Sequence, residues 1–277
     1  MRKQGTQTRV ERSIDIDLPE SGDRGADRKF INSLSRGFDI LRAFKPGAGP
    51  MGNQELSLTT GIPKATVTRL THTLSELGYL RYLRGEAKYE LTESILALGY
   101  AVLSNMTVRQ VVREPMQKLA LTQDVTVALT ARDRSSMIVV DAFNANSLSS
   151  LHLEAGSRVP IATTAAGRAF LAGLNPEERT FFFGVLEKKH GAEAWADLRP
   201  KVEDAIEQVE TRGYCYVEDD WHHGMRAVGV PLKSMTGQPL KSMLCGAPTF
   251  AVTREKLEAE LGPQLAHMGR QLTPMIR

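Results

Sequence analysis

Four groups of residues in this chain could do chemistry. Lys64, Thr66, Thr68, Arg69 and His72 crowd into a short segment, with Arg81, Arg84 and Lys88 close behind. Arg69 can give two hydrogen bonds to a guanine edge or grip a phosphate, the threonines can contact bases or phosphates, and Lys64 suits a phosphate near a helix start. Glu218-Asp219-Asp220-Trp221-His222-His223 has enough donors for a metal, but adjacent histidines point apart on most backbones, so an ordinary surface loop without metal is expected. Cys215 or Cys245 could act as a nucleophile with a base from the His222-His223 pair. Neither lies in a nucleophile-type turn, and no glycine-rich phosphate loop or pair of catalytic carboxylates accompanies them, so neither an enzyme nor a cofactor is expected. Thr163 and Thr164, before Ala165-Ala166-Gly167, can cap a helix whose open N–H groups would hold a carboxylate. Small residues there serve equally to pack a helix closely on a sheet.

The elements that must position these groups can be read from spacing. Leu34, Phe38, Ile40, Leu41 and Phe44 recur at helical intervals, and the segment ends in Lys45-Pro46-Gly47-Ala48-Gly49-Pro50. Asn53 can cap a short helix carrying Leu56 and Leu58 and ending at Gly61; Pro63 then sits in the first turn of a third helix. That helix places Val67, Leu70, Leu74 and Leu77 on one stripe, with Ala65, Thr68, Arg69, His72 and Glu76 roughly opposite, Lys64 in the first turn and Thr66 on a flank. Residues 79–83, a glycine-containing turn and residues 88–91 form a hairpin carrying Arg81, Arg84 and Lys88. Helix, tight turn, helix and hairpin is the order of a winged helix-turn-helix, whose second helix enters the major groove.

Residues 1–28 alternate charges with Gly, Ser and Thr and suit a disordered tail; 29–92 form the winged helix-turn-helix, and Thr92 caps a linker helix over 93–107 bearing Ile95, Leu96, Leu98 and Val102. Residues 108–277 mix strands, near 125–129, 137–140, 227–232 and 240–244, with helices. One helix opens at Asn175-Pro176-Glu177-Glu178 and closes at Gly191, one runs from about Pro200 to Gly213, and one starts near Thr253 with Leu257, Leu261, Leu265, Met268 and Leu272 on one face. A turn at Thr236-Gly237-Gln238 joins the last two strands, and His152 falls on an apolar strand as a core or rim residue. The class is α+β, and the second domain is of a size to enclose a pocket.

Bulk properties set the limits. The 277 residues suffice for two domains. A formal charge of +3 and a pI near 8.8 permit nucleic-acid binding without arguing for it. No apolar run reaches the roughly 20 residues of a bilayer span, the N-terminus lacks the apolar stretch of a secretory signal, and two cysteines do not make a disulfide scaffold. A cytoplasmic protein with reduced thiols and no membrane partner is expected. A winged helix can also be a protein-interaction module, and that alternative stays open here.

The chain resembles the IclR family of bacterial transcriptional regulators in Gly61-Ile62-Pro63-Lys64-Ala65-Thr66-Val67-Thr68-Arg69-Leu70, in Leu77-Gly78-Tyr79-Leu80 and in Lys88-Tyr89-Glu90-Leu91. It does so again across 159–172, and from Arg212-Gly213-Tyr214 through Gly224 to Pro231. The likeness runs from about Ile31 to the C-terminus. It implies a GAF-like effector-binding domain behind the winged helix, a homodimer or dimer of dimers, a palindromic double-stranded DNA operator and a small carboxylate effector. Ala65 stands where the family often has serine, which removes one phosphate contact. The implied pocket positions are Thr164, Ala165, Ala166, Asp220, Met225, Ala227, Leu244 and Gly246. Val217 occupies a place often acidic, Asp220 one that is usually glutamate, and Leu244 and Gly246 stand where serines occur. A more apolar wall predicts an acid with a larger hydrophobic or aromatic body.

Overall fold

A computed structural model describes residues 29–144, 153–233 and 241–276. The expected tail, His152 and the 236–238 turn lie outside the described residues. The chain divides between Asn105 and Met106 into two compact units.

In the N-terminal unit, α1 (Asn32–Ala43), α2 (Asn53–Thr60) and α3 (Lys64–Glu76) are followed by a two-stranded antiparallel hairpin, β1 (Leu80–Leu83) and β2 (Lys88–Leu91), and by α4 (Ser94–Ser104). Ile40, Ala43, Leu56, Ile62, Val67, Leu74 and Leu80 form its core. The sequence stripe needs amending: Thr71 is fully buried between Val67 and Leu74, whereas Leu77, just past the helix end, is 62% exposed. A helical stripe slides around the axis, so position 71, four residues after 67, lies nearer its centre than position 77. Thr71 tolerates burial because its hydroxyl lies 3.0 Å from the Val67 carbonyl and 3.3 Å from Asn53 Oδ1. Asn53 is therefore not the cap of α2. Gly52 is, with the Glu55 carboxylate accepting the Gly52 N–H. At the wing the left-handed residue is Ala87 rather than Gly85. Thr92, expected to cap α4, accepts the Ser94 N–H on its hydroxyl at 3.4 Å and donates to the Gly78 carbonyl, so it holds the helix start from one residue before the assigned cap, Glu93.

The C-terminal unit begins with α5 (Thr107–Gln123), whose helical pattern is interrupted by Pro115. It continues through β3 (Thr126–Asp133), β4 (Ser136–Phe143), β5 (Arg158–Pro160), α6 (Ala165–Gly173), α7 (Pro176–His190), α8 (Ala192–Arg212), β6 (Cys215–Glu218), β7 (Met225–Leu232) and β8 (Lys241–Pro248). A short α9 (Arg254–Lys256) passes through a π turn, Leu257–Leu261, into α10 (Gly262–Leu272). Pro263 lacks an N–H, so the ladder is already broken where the Gly262 N–H reaches the Leu257 carbonyl. α8 starts eight residues before Pro200, because Trp195 in its first turns is buried in the core and holds the helix through the proline. α7 opens at Asn175 as expected, and Glu178 completes a capping box with it.

The strands form one antiparallel sheet in the order β5-β4-β3-β8-β7-β6. Its two faces are covered by different helices, as the alternation along β7 shows. A Cβ on Gly229 would strike Ala165 of α6, whereas Val230 and Leu232, on the opposite face, lie against Gly269 of α10. On the α6 face, side chains line up in rows across the strands. Thr126, Gly246, Ala227 and Val217 make one row; Ala128, Leu244, Gly229 and Cys215 make the next.

Candidate nucleic-acid interface and ligand pocket

α3 presents Lys64, Thr68, Arg69 and His72 to solvent, with Thr66 half-buried on the flank. Lys64, Arg69 and His72 have no acidic partner among the described residues, so their donors are available to a polyanion. Thr68 is different. Its hydroxyl donates to the Lys64 carbonyl at 3.0 Å and accepts from Asn53 Nδ2 at 3.2 Å, which leaves its methyl as the outward group. On the hairpin the three cations part company. Arg81 is held by Glu90 and Glu93, Lys88 by Glu55, and Arg84 at the turn is exposed and unpaired among the described residues. Arg81 and Lys88, expected to track a backbone, each carry an exposed intramolecular carboxylate partner that a phosphate would have to displace. Sequence spacing cannot show such pairs when their members lie on different elements.

The ligand pocket opens where the first turn of α6 meets the sheet. Thr164 caps α6: its hydroxyl accepts the Gly167 N–H and donates to the Pro160 carbonyl. The N–H groups of Ala165 and Ala166 precede the first intrahelical bond and stay open, at the positive end of the helix dipole. The helix sits close to its neighbours because Gly167 and Gly229 have no side chain. A Cβ on either would come within 2.2 Å of a backbone oxygen, of Ile161 and Ala165 respectively. Close packing and an open helix start thus coexist.

The pocket offers about 580 Å³, its mouth included. Thr164, Ala165, Asp220, Met225, Ala227, Leu244 and Gly246 all line it, together with Val217 and Trp221. Ala166 does not. It is fully buried, and its carbonyl accepts a bond from Ser242, which itself pairs with Thr130. Trp221 was not foreseen as a wall residue, since a lone tryptophan in a polar run carries no periodic signal.

Asp220 lies at the rim, but it is already engaged. Its carboxylate takes Arg168 Nη2 at 2.7 Å and Lys201 Nζ at 2.5 Å. Burial alone would raise its pKa, yet Lys201 and Arg168 outweigh that and hold it below the ordinary value. Arg168, on α6, is almost fully buried and also donates to the Ala162 carbonyl. The ion pair therefore ties the pocket helix to the 219–224 loop at the rim of the pocket. That loop turns on Asp219, in the left-handed region, whose carboxylate accepts the Gly224 N–H. No cluster suited to a metal is found among the described residues. Both thiols are buried, which pushes each pKa up to about 12, and the Cys215 Sγ–H points at the Ala165 and Gly229 carbonyls. A neutral, buried thiol is no nucleophile at physiological pH.

Comparison with known proteins agrees with both halves. The family model for the IclR helix-turn-helix domain matches residues 33–84, and that for the bacterial transcriptional regulator IclR C-terminal domain matches residues 100–273. The HTH-type transcriptional regulator TsaQ1/TsaQ2 of Comamonas testosteroni is 29% identical, over 89% of this chain and 89% of its own. The crystal structure of an IclR family transcriptional regulator from Brucella abortus matches with a TM-score of 0.83 and 38% identity, covering 94% of this chain and 98% of that one. An IclR homologue from Microbacterium hydrocarbonoxydans, solved as a complex with 4-hydroxybenzoate, shares the fold at 16% identity and a TM-score of 0.69, over 88% of this chain and 99% of the other. With a helix-turn-helix whose exposed face carries cations unpaired among the described residues and a second unit that encloses a pocket, the chain belongs to the IclR family of bacterial transcriptional regulators, DNA-binding proteins rather than enzymes.

Proposed function

We propose that this regulator reads a palindromic operator as a homodimer or dimer of dimers in the cytoplasm, and releases or engages it when an organic acid fills the C-terminal pocket. The observation that carries the DNA half is the exposed face of α3, with Arg69 at its centre and no acidic partner for its cations among the described residues. Arg69→Ala should weaken specific operator binding by about 1 to 3 kcal/mol. Filter binding across a salt series checks this. Wild-type affinity should fall steeply with salt, and Lys88→Ala, whose cation is already spent on Glu55, should change it far less than Arg84→Ala. Salt-independent binding would favour a protein-interaction module instead.

Two further supports concern the effector and the assembly. The pocket wall from Val217 through Leu244 is apolar and the helix start beside it offers open N–H groups, which suits a carboxylate with a hydrophobic body; the homologue solved with 4-hydroxybenzoate points the same way. A thermal-shift screen of aliphatic and aromatic acids should show stabilisation by the bulkier ones. Stabilisation by glyoxylate or pyruvate alone would defeat this reading. For self-association, α4 has no buried residue, and Leu96, Leu98, Tyr100 and Val102 are all more than half exposed. Leu98 adjoins a groove lined by Leu34, Phe38 and Leu77. So much bare apolar surface suits a second copy, and Leu98→Glu should halve the sedimenting mass; an unchanged mass would place the interface elsewhere.

A further inference from the structure

One polar group in the pocket is left without a partner by everything described so far. Thr126, the first residue of β3, is only 7% exposed, and it lines the pocket. Its hydroxyl has no hydrogen-bond partner among the described residues, in contrast with Thr130 four positions on, which pairs with Ser242. The hydroxyl oxygen is not itself sealed off, so it is reached from the pocket, where a ligand atom can take up its open hydrogen-bonding capacity.

Its surroundings explain why it is open. Thr126 sits directly across from Gly246, and Gly246 across from Ala227, in the row that forms the pocket floor. Gly246 contributes no side chain to that row. A Cβ there would come 2.9 Å from the Ala227 Cβ and 3.0 Å from the Arg226 carbonyl. With Gly246 closely covered by Ala227, Thr126 brings a hydroxyl to a stretch of the pocket whose other walls, Ala227, Val217 and Leu244, are apolar.

The position relative to α6 sets the ligand's length. The first turn of α6 lies over Gly229 on β7. Thr126 is on β3, two strands away with β8 between, a separation of about 10 Å at ordinary strand spacing. An acid of two or three carbons cannot touch both.

Resting on the anion-pocket reading above, we infer that Thr126 is a specificity-determining residue that hydrogen-bonds a hydroxyl, or a similar polar substituent, on the far end of the acid whose carboxylate meets the α6 N-terminus. The ligand is then bipolar, with an acid at one end, an apolar body and a hydrogen-bonding group at the other. A site built this way favours the acid carrying that group over the analogue lacking it.

The test is isothermal titration of the full chain with benzoate and with 3-phenylpropanoate, each with and without a para hydroxyl. The hydroxylated member of the pair that spans the pocket should bind wild type about 5- to 10-fold tighter. Thr126→Val should abolish that preference while binding the unhydroxylated acid as before, and Thr126→Ser should restore it. An unchanged melting temperature of ligand-free Thr126→Val verifies its fold. Equal affinities within both pairs on wild type, or a preference that survives in Thr126→Val, overturns the assignment and leaves the anion reading standing. Failure of all four acids to bind wild type overturns the anion reading itself, and the assignment with it.

Discussion

Asp220→Ala is expected to lower the unfolding free energy of the C-terminal unit by about 3 to 5 kcal/mol, as for other buried pairs stripped of one partner. Arg168 would keep its bond to the Ala162 carbonyl, but its guanidinium, 3% exposed, would have lost the carboxylate 2.7 Å away. Lys201, half-exposed, can return to water at little cost, so the penalty falls on Arg168. Urea denaturation followed by tryptophan fluorescence reads this unit alone, because both tryptophans of the chain, Trp195 and Trp221, belong to it. An unchanged midpoint would refute the expectation. The double replacement Arg168→Met with Asp220→Leu should recover much of the loss, since it removes the orphaned charge as well. Acid should act in the same direction. The folded-state pKa of Asp220 is depressed below its ordinary 3.8, so the pair's stabilisation is fully present above 3.8 and fades as pH falls through the lower folded value. Wild type should lose this increment in that window, and Asp220→Ala should have none to lose.

Gly229→Ala should be nearly as damaging, for a steric reason. The added methyl would stand 2.2 Å from the Ala165 oxygen and 2.6 Å from its carbonyl carbon, which are backbone atoms and cannot rotate away. α6 must lift from the sheet. Its departure would break the Cys215 thiol contact with the Ala165 carbonyl and move the open N–H groups of the first turn. A destabilisation of about 3 kcal/mol is expected, read again by fluorescence in urea, together with loss of acid binding in the thermal-shift screen. Wild-type stability and binding in this variant would mean that α6 does not rest on Gly229 in solution.

The N-terminal unit was largely legible in the sequence because its signals are local. Pro63, Gly61 and the spacing from Val67 to Leu74 fix a helix pair within about twenty residues, and the Arg84–Ala87 turn follows at once. What stayed hidden there depends on meetings between elements: Asn53 with Thr68 and Thr71, Lys88 with Glu55. In the C-terminal unit the capping signals at Asn175 were plain. α5 and the first turns of α8 were not, because Pro115 and Pro200 read as boundaries, whereas burial of residues such as Met116 and Trp195 outweighs the cost of an interior proline. The strand β6 is four residues long, too short for alternation to stand out. The pocket positions came from family likeness, and Thr126, which no such motif marked, emerged only from strand register.

The bridge from Asn53 to α3 bears on how the protein searches for its site. A helix resting on leucine and valine alone can roll about its axis at small cost, because dispersion contacts have little directionality. Hydrogen bonds depend on angle, and Asn53 makes contact with Thr68 and Thr71, which lie one turn apart on the same side of α3. Roll is thereby locked. On the proposed readout Arg69 would carry its fork at a set bearing, so a shifted or altered base step would not be met by a small turn of the helix, and the mismatch is expected as faster release instead of a tolerated fit.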